Sequence, residues 1–183
     1  MSELLSPAQQ EFLLKLARDT IAARLRGEKA PLPRTDDPVL NSKRGAFVTL
    51  HIDGELRGCI GYPLPYKPLA ETVAEMAVAA ATQDHRFESI QESELGRLRI
   101  EISALTLPRA IRDPAEVEVG KHGIILSKGA RRGLLLPQVP LEYDWDRETF
   151  LRHGCLKAGL PENEWKNSAG IEVFEAQVFS EAE

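Results

Sequence analysis

A chain of 183 residues that is 43% hydrophobic and 28% charged has the make-up of a soluble globular protein, long enough for one proper core or a core with a small extra lobe. Its net charge of −5 argues against bulk affinity for nucleic acid. Two cysteines, Cys59 and Cys155, lie far apart without C-x-x-C spacing, which excludes a disulfide framework and a cysteine zinc site and fits a reducing cytoplasm.

Met1-Ser2-Glu3-Leu4-Leu5 lacks the basic-then-apolar order of a signal peptide. The longest apolar run, Ala77 to Ala81, is far too short to cross a bilayer. A first helix opens at Ser6-Pro7, with serine as N-cap, proline at the first turn and Gln9 completing a capping box. Phe12, Leu13, Leu16, Thr20, Ile21 and Leu25 continue it at helical spacing, and Gly27 stops it. Glu28 to Leu40 carries four prolines and reads as an extended linker with a turn after Asp37-Pro38. Ala46 to Ile52 alternates as a strand, and Asp53-Gly54 is the pair that best tolerates a type I′ hairpin turn.

Pro68 opens a second helix to about Thr82, whose many alanines suit close packing on a sheet. A short helical turn around Glu92 to Leu95 precedes a half-buried strand, Arg99 to Thr106, with Ile100, Ile102 and Ala104 inward. Asp113-Pro114 caps another turn. Val119 to Gly123 reads as a loop before a strand at Ile124 to Leu126, and Ser127 to Gly133 as a basic turn into Leu134-Leu135-Leu136. Asp144 is placed as N-cap of a helix from Trp145 to Ala158, ended by Gly159; a further helical turn falls in Pro161 to Trp165, and Ile171 to Phe179 forms the last strand. Helices and hairpins in this order give an α+β fold with a largely antiparallel sheet and flanking helices. Residues 1–183 read as a single domain, with residues after about 120 as a candidate smaller lobe.

The densest chemistry lies in Leu56-Arg57-Gly58-Cys59-Ile60-Gly61. A two-residue turn at Asp53-Gly54 sets Leu50 opposite Arg57 and Val48 opposite Cys59, so Arg57 and Cys59 share a face and the cation favours a nucleophilic thiolate. Gly58 and Gly61 clear space beside the sulfur for a ligand or another backbone. The competing reading makes Cys59 a small core hydrophobe. A register slip of one residue would move it to the other face.

Four blocks stand together: Arg44 to Leu50, Leu56 to Gly61, Ala81 to Phe87 with Asp84 and Arg86, and Val119 to Ile124 with Lys121 and His122. Gly133 to Val139 with Gln138, Trp145 ahead of Phe150-Leu151, and Cys155 to Leu160 before Trp165 follow them. In these the chain resembles the AMMECR-one domain family, also called AmmeMemoRadiSam system protein A, over nearly its whole length. The hexapeptide around Cys59 is that family's signature. One departure is His85, where the family commonly has proline. The resemblance implies two unequal lobes around a cleft, no settled activity, and an association with Memo-like and radical SAM proteins.

The expected catalytic group is Cys59 as nucleophile, Arg57 as thiolate stabiliser and His122 as general base or acid. Gly58, Gly61, Asp84, Arg86, Lys121 and Gln138 are the expected ligand-binding residues. Asp84 with Arg86 reads as a pair that pins the loop between helix and strand in preference to one lining the cleft, and His122 equally as a loop histidine bonded to backbone. Cys155, His51 and His153 read as structural. No nucleotide-binding glycine loop, hydrolase elbow, zincin motif or iron–sulfur cysteine cluster is present. Two functions follow. The first is a cofactor-free, cysteine-dependent enzyme acting on a small molecule in the cleft. The second is a non-catalytic binding or adaptor module for the Memo-like and radical SAM partners.

Overall fold

The computed structural model describes residues 4–183; the first three, part of the segment read as no signal peptide, lie outside it. The chain divides into two units, one of residues up to Leu105 together with Gln177–Glu183, the other Thr106–Ala176. Among the described residues the fold is α+β, with four α-helices and antiparallel strand pairing.

In the first unit, helix α1 (Pro7–Arg26) starts and stops where its caps dictate. Ser6 Oγ accepts from the Gln9 amide, Gln9 Oε1 accepts from the Ser6 amide, and Gly27 ends the helix at φ 68°. Strands β1 (Ala46–Ile52) and β2 (Glu55–Tyr62) form the hairpin, and β3 (Leu98–Leu105) pairs with the other edge of β1. The end of β7 (Gly170–Ser180) continues that sheet beside β3. Val48, Leu50, Ile100, Ile102 and Ala104 face helices α1 and α2 (Leu69–Thr82) and form the core with them. Phe47, Thr49, His51, Arg99, Glu101 and Ser103 alternate onto the opposite, partly exposed face. The alanine-rich α2 lies so close that a Cβ on Gly58 would stand 2.2 Å from the Ala80 carbonyl oxygen.

In the second unit, β5 (His122–Lys128) pairs with β6 (Arg131–Leu135) and with β7, and the short β4 (Arg109–Ile111) also pairs with β7. Phe150, Leu151 and Cys155 of α4 (Arg147–Lys157) fill the core against Ile124, Leu126 and Val173. Several sequence boundaries move here. His122 and Gly123 belong to β5 rather than to a loop, because each pairs with β7. The basic turn shrinks to Gly129-Ala130, with Arg131 and Arg132 inside β6. Helix α4 is capped by Asp146, whose side chain accepts from the Thr149 amide, while Asp144 sits at φ 53° in the connection from the short α3 (Val139–Glu142). Neither α3 nor β4 is long enough to carry a periodic signal.

Candidate functional site

The hairpin turn falls at Asp53-Gly54 with Ile52 opposite Glu55, but the register shifts between Leu50 and His51. Leu56 pairs with His51 and Gly58 with Leu50, so Arg57 is the extra residue of a β-bulge. This corrects the expected register. Cys59 stands opposite Thr49, not Val48, and Leu50 opposite Gly58, not Arg57. Two consequences fix the site. Gly58 faces α2, where only a glycine lets the strand approach the helix backbone. Cys59 faces the other way, half-buried, with its Sγ 3.2 Å from Thr49 Oγ1. Glu101 of β3 completes the row across β1, paired with Thr49.

The bulge also redirects Arg57. Its Nε donates to Glu94 Oε1 at 3.1 Å and one Nη donates to the Glu88 carbonyl, so its charge is spent on the loop after α2. Arg86 is instead the cation that Asp84 ties to the Cys59 backbone amide. Asp84, just past α2 and 9% exposed, is the hinge of this arrangement. Its Oδ2 accepts from the Cys59 amide at 2.9 Å and from Arg86 Nη2 at 2.8 Å, and its Oδ1 from Arg86 Nε at 3.0 Å and the Arg86 amide at 3.1 Å. The Cys59 N–H therefore points away from β1, which makes Thr49 and Cys59 a non-hydrogen-bonded pair and brings their side chains together. The Arg86 guanidinium holds the Asp84 carboxyl far below the usual carboxylate range, helped by the Cys59 and Arg86 amides against the opposing effect of burial. Reciprocally, Asp84 raises Arg86, and the Cys59 sulfur adds a smaller electrostatic contribution of the same sign. The Arg86 side chain remains 59% exposed, with the guanidinium 5.4 Å from the Phe87 ring centroid.

Gly61 lies under Phe47, where a Cβ would meet the ring and the Ala46 carbonyl oxygen at 2.4 Å. The glycines thus admit protein neighbours. A cavity of about 770 Å³ opens beside β2, walled by Ile60, Gly61, Glu71, Glu75 and the linker residues Pro31 and Leu32; Cys59, Asp84 and Arg86 do not line it. It lies near the hairpin but offers no wall to the thiol.

The remaining expected residues belong to the second unit. His122 is 5% exposed, and its Nδ1 accepts from the Glu118 amide at 3.1 Å. Burial lowers its pKa, with Lys121 acting in the same direction. The neutral ring then carries its proton on Nε2 and acts as a donor there. Lys121 lies 3.7 Å from Glu118 and 3.9 Å from Glu175. Gln138 is exposed at the start of α3, where its carbonyl accepts from the Leu141 and Glu142 amides. Cys155 is fully buried, and desolvation pushes its thiol up. Among the described residues no cluster of three or more histidine, cysteine or carboxylate side chains could hold a metal ion, and no helix is long and apolar enough to cross a membrane.

Sequence reasoning missed Thr49 because its position opposite Cys59 depends on the bulge. Asp84 and Arg86 were found, but their link to Cys59 is a contact 25 residues distant in the chain.

Comparison with known proteins returns one consistent family. A family model described as AMMECR1 matches residues 14–179. Protein MK0488 of Methanopyrus kandleri is 48% identical over 193 aligned positions, covering 100% of this chain and 93% of the relative. Protein MJ0810 of Methanocaldococcus jannaschii is 44% identical, covering 98% and 94%. The crystal structure of the uncharacterized protein PH0010 from Pyrococcus horikoshii is similar with a TM-score of 0.74 and 41% identity, covering 93% of this chain and 90% of that one.

Proposed function

The chain belongs to the AMMECR1 family, and we propose that it is a cofactor-free, cysteine-dependent enzyme acting on a small anionic carbonyl compound. One observation carries this reading. A half-buried thiol, a hydroxyl 3.2 Å from it and an exposed guanidinium anchored on a nearly buried carboxylate converge on one strand of the sheet. A structural cysteine needs none of these neighbours. In the proposed step Cys59 Sγ adds to the substrate carbonyl carbon and forms a C–S bond. The leaving group departs with the thiol proton, and water then breaks the C–S bond and restores the thiol. Arg86 holds the substrate's anionic group with the donors that Asp84 leaves free, and Thr49 donates to the sulfur as charge develops on it. Within the system that the family resemblance implies, this reaction would serve the Memo-like and radical SAM partners.

The test is intact-mass spectrometry of the native chain with small acyl donors bearing a carboxylate, with Cys59→Ser as the blank. The proposal expects a transient adduct on Cys59, and turnover that is lost in Cys59→Ser while the fold is kept. Full turnover by Cys59→Ser, or no adduct with any anionic or neutral donor, would leave the non-catalytic binding or adaptor function in its place.

A further inference from the structure

The second unit carries a feature that the cysteine chemistry does not use. Tyr143, Trp145 and His153 form a three-ring stack, with centroids 5.0 Å apart at 19° for Tyr143 on Trp145 and 3.8 Å apart at 9° for Trp145 on His153. Asp144, between Tyr143 and Trp145, sits at φ 53°, a left-handed conformation that aspartate tolerates better than most residues. The Trp145 amide bonds to the Pro140 carbonyl at 2.9 Å and completes the reversal between α3 and α4. A stack built for stability would bury its outermost ring. Tyr143 is 64% exposed, and its neighbour Leu141 62%.

Two carboxylates adjoin this ring in the chain, with Arg147 and Arg152 further along in α4. Glu142 and Asp144 flank Tyr143 in the chain and are both exposed. Among the described residues neither carboxylate has a hydrogen-bond or ion-pair partner. The next carboxylate, Asp146, is engaged in capping α4, and Arg147 turns its Nε to the Val117 carbonyl at 2.8 Å. An exposed aromatic face backed by two further rings and flanked in the chain by two exposed carboxylates complements a flat cation.

We propose that Tyr143, with Glu142 and Asp144, is the docking point for an arginine side chain presented by a partner protein. A guanidinium stacks on the outer face of the ring and still offers N–H groups sideways to a carboxylate, which a lysine ammonium cannot match in plane. The rings of Trp145 and His153 hold Tyr143 in place before binding, which reduces the ordering that association requires. This docking point is independent of the Cys59 chemistry.

The probe is a fluorescently labelled tetra-arginine peptide, capped at both ends and titrated into the full chain by anisotropy at low salt. Tetra-lysine and tetra-glutamate peptides are the comparisons. The expected order is arginine tighter than lysine, with no binding of glutamate. Tyr143→Leu should weaken the arginine peptide about fivefold, and Tyr143→Phe should leave it within about twofold, since the ring face is kept. Asp144→Asn, which tolerates the left-handed conformation, should weaken it by removing charge alone. Circular dichroism of each variant verifies the fold. Equal binding of the three peptides, or unchanged affinity in Tyr143→Leu, would overturn the proposal. So would a short oligothymidylate that binds more tightly than tetra-arginine and depends on Tyr143, because the ring would then be a base-stacking platform.

Discussion

Gly58→Ala tests the packing that turns Cys59 away from α2. The added Cβ would stand 2.2 Å from the Ala80 carbonyl oxygen, against an ordinary contact of 3.4 Å or more, so strand and helix must part by about 1.2 Å. The obstacle is backbone, with no flexible side chain to swing aside, and α2 packs its alanine-rich face across the same sheet. Overpacking of this kind costs about 1–3 kcal/mol, and a backbone obstacle places Gly58→Ala toward about 3. In a chain of this size that lowers the melting temperature by roughly 6–12 °C. Urea unfolding followed by circular dichroism measures it, with Gly96→Ala as control, since a Cβ there meets nothing within 4 Å. Gly58→Ala within about 0.5 kcal/mol of the parent would refute the close approach and with it the orientation of Cys59.

Asp84→Asn should destabilise the native chain by about 2 kcal/mol at neutral pH, because hydrogen bonds to a charged carboxylate are replaced by poorer ones. The native pKa of Asp84 lies below its unfolded value, so its stabilisation is present above about pH 4 and is lost as pH falls through the native pKa. Acid unfolding of the parent should show that loss and Asp84→Asn should not. His122 is also lowered in the folded chain, so the unfolded chain binds its proton first. Parent stability should fall below about pH 6.5 by at most about 1.4 kcal/mol per pH unit, and His122→Gln should flatten that limb in urea titrations at several pH values. Arg57→Met should lower stability through loss of the Glu94 pair while leaving the alkylation rate of Cys59 unchanged. Cys155 should alkylate only on unfolding.

The sequence made the long elements readable because each carries its own punctuation. Ser6, Pro7, Gln9 and Gly27 delimit α1, Asp53-Gly54 sets the hairpin turn, and the alternation of β3 names its inward residues. Short elements and irregular ones stayed hidden. The bulge at Arg57 has no local signature, and a single extra residue was enough to exchange the partners of Cys59 and to commit Arg57 to Glu94, while Asp84 ties Arg86 to the Cys59 amide. Asp144 and Asp146 are equally good caps on paper; the left-handed turn at Asp144 decides between them. Cys59 and Asp84 were each picked out, yet the bond between them joins an edge-strand amide to a loop carboxylate and is visible only in three dimensions.

The central claim is that Cys59 is an accessible nucleophile beside a cation that selects anionic reagents. The direct measurement is the ratio of its alkylation rates with iodoacetate and iodoacetamide in the native chain, read by mass spectrometry with Cys155 as internal reference. The account predicts that Cys59 labels in the folded state, that iodoacetate is favoured relative to a free thiol, and that Arg86→Met abolishes this preference while Arg57→Met keeps it. A Cys59 that labels only when Cys155 does, or a ratio indifferent to Arg86, would contradict it.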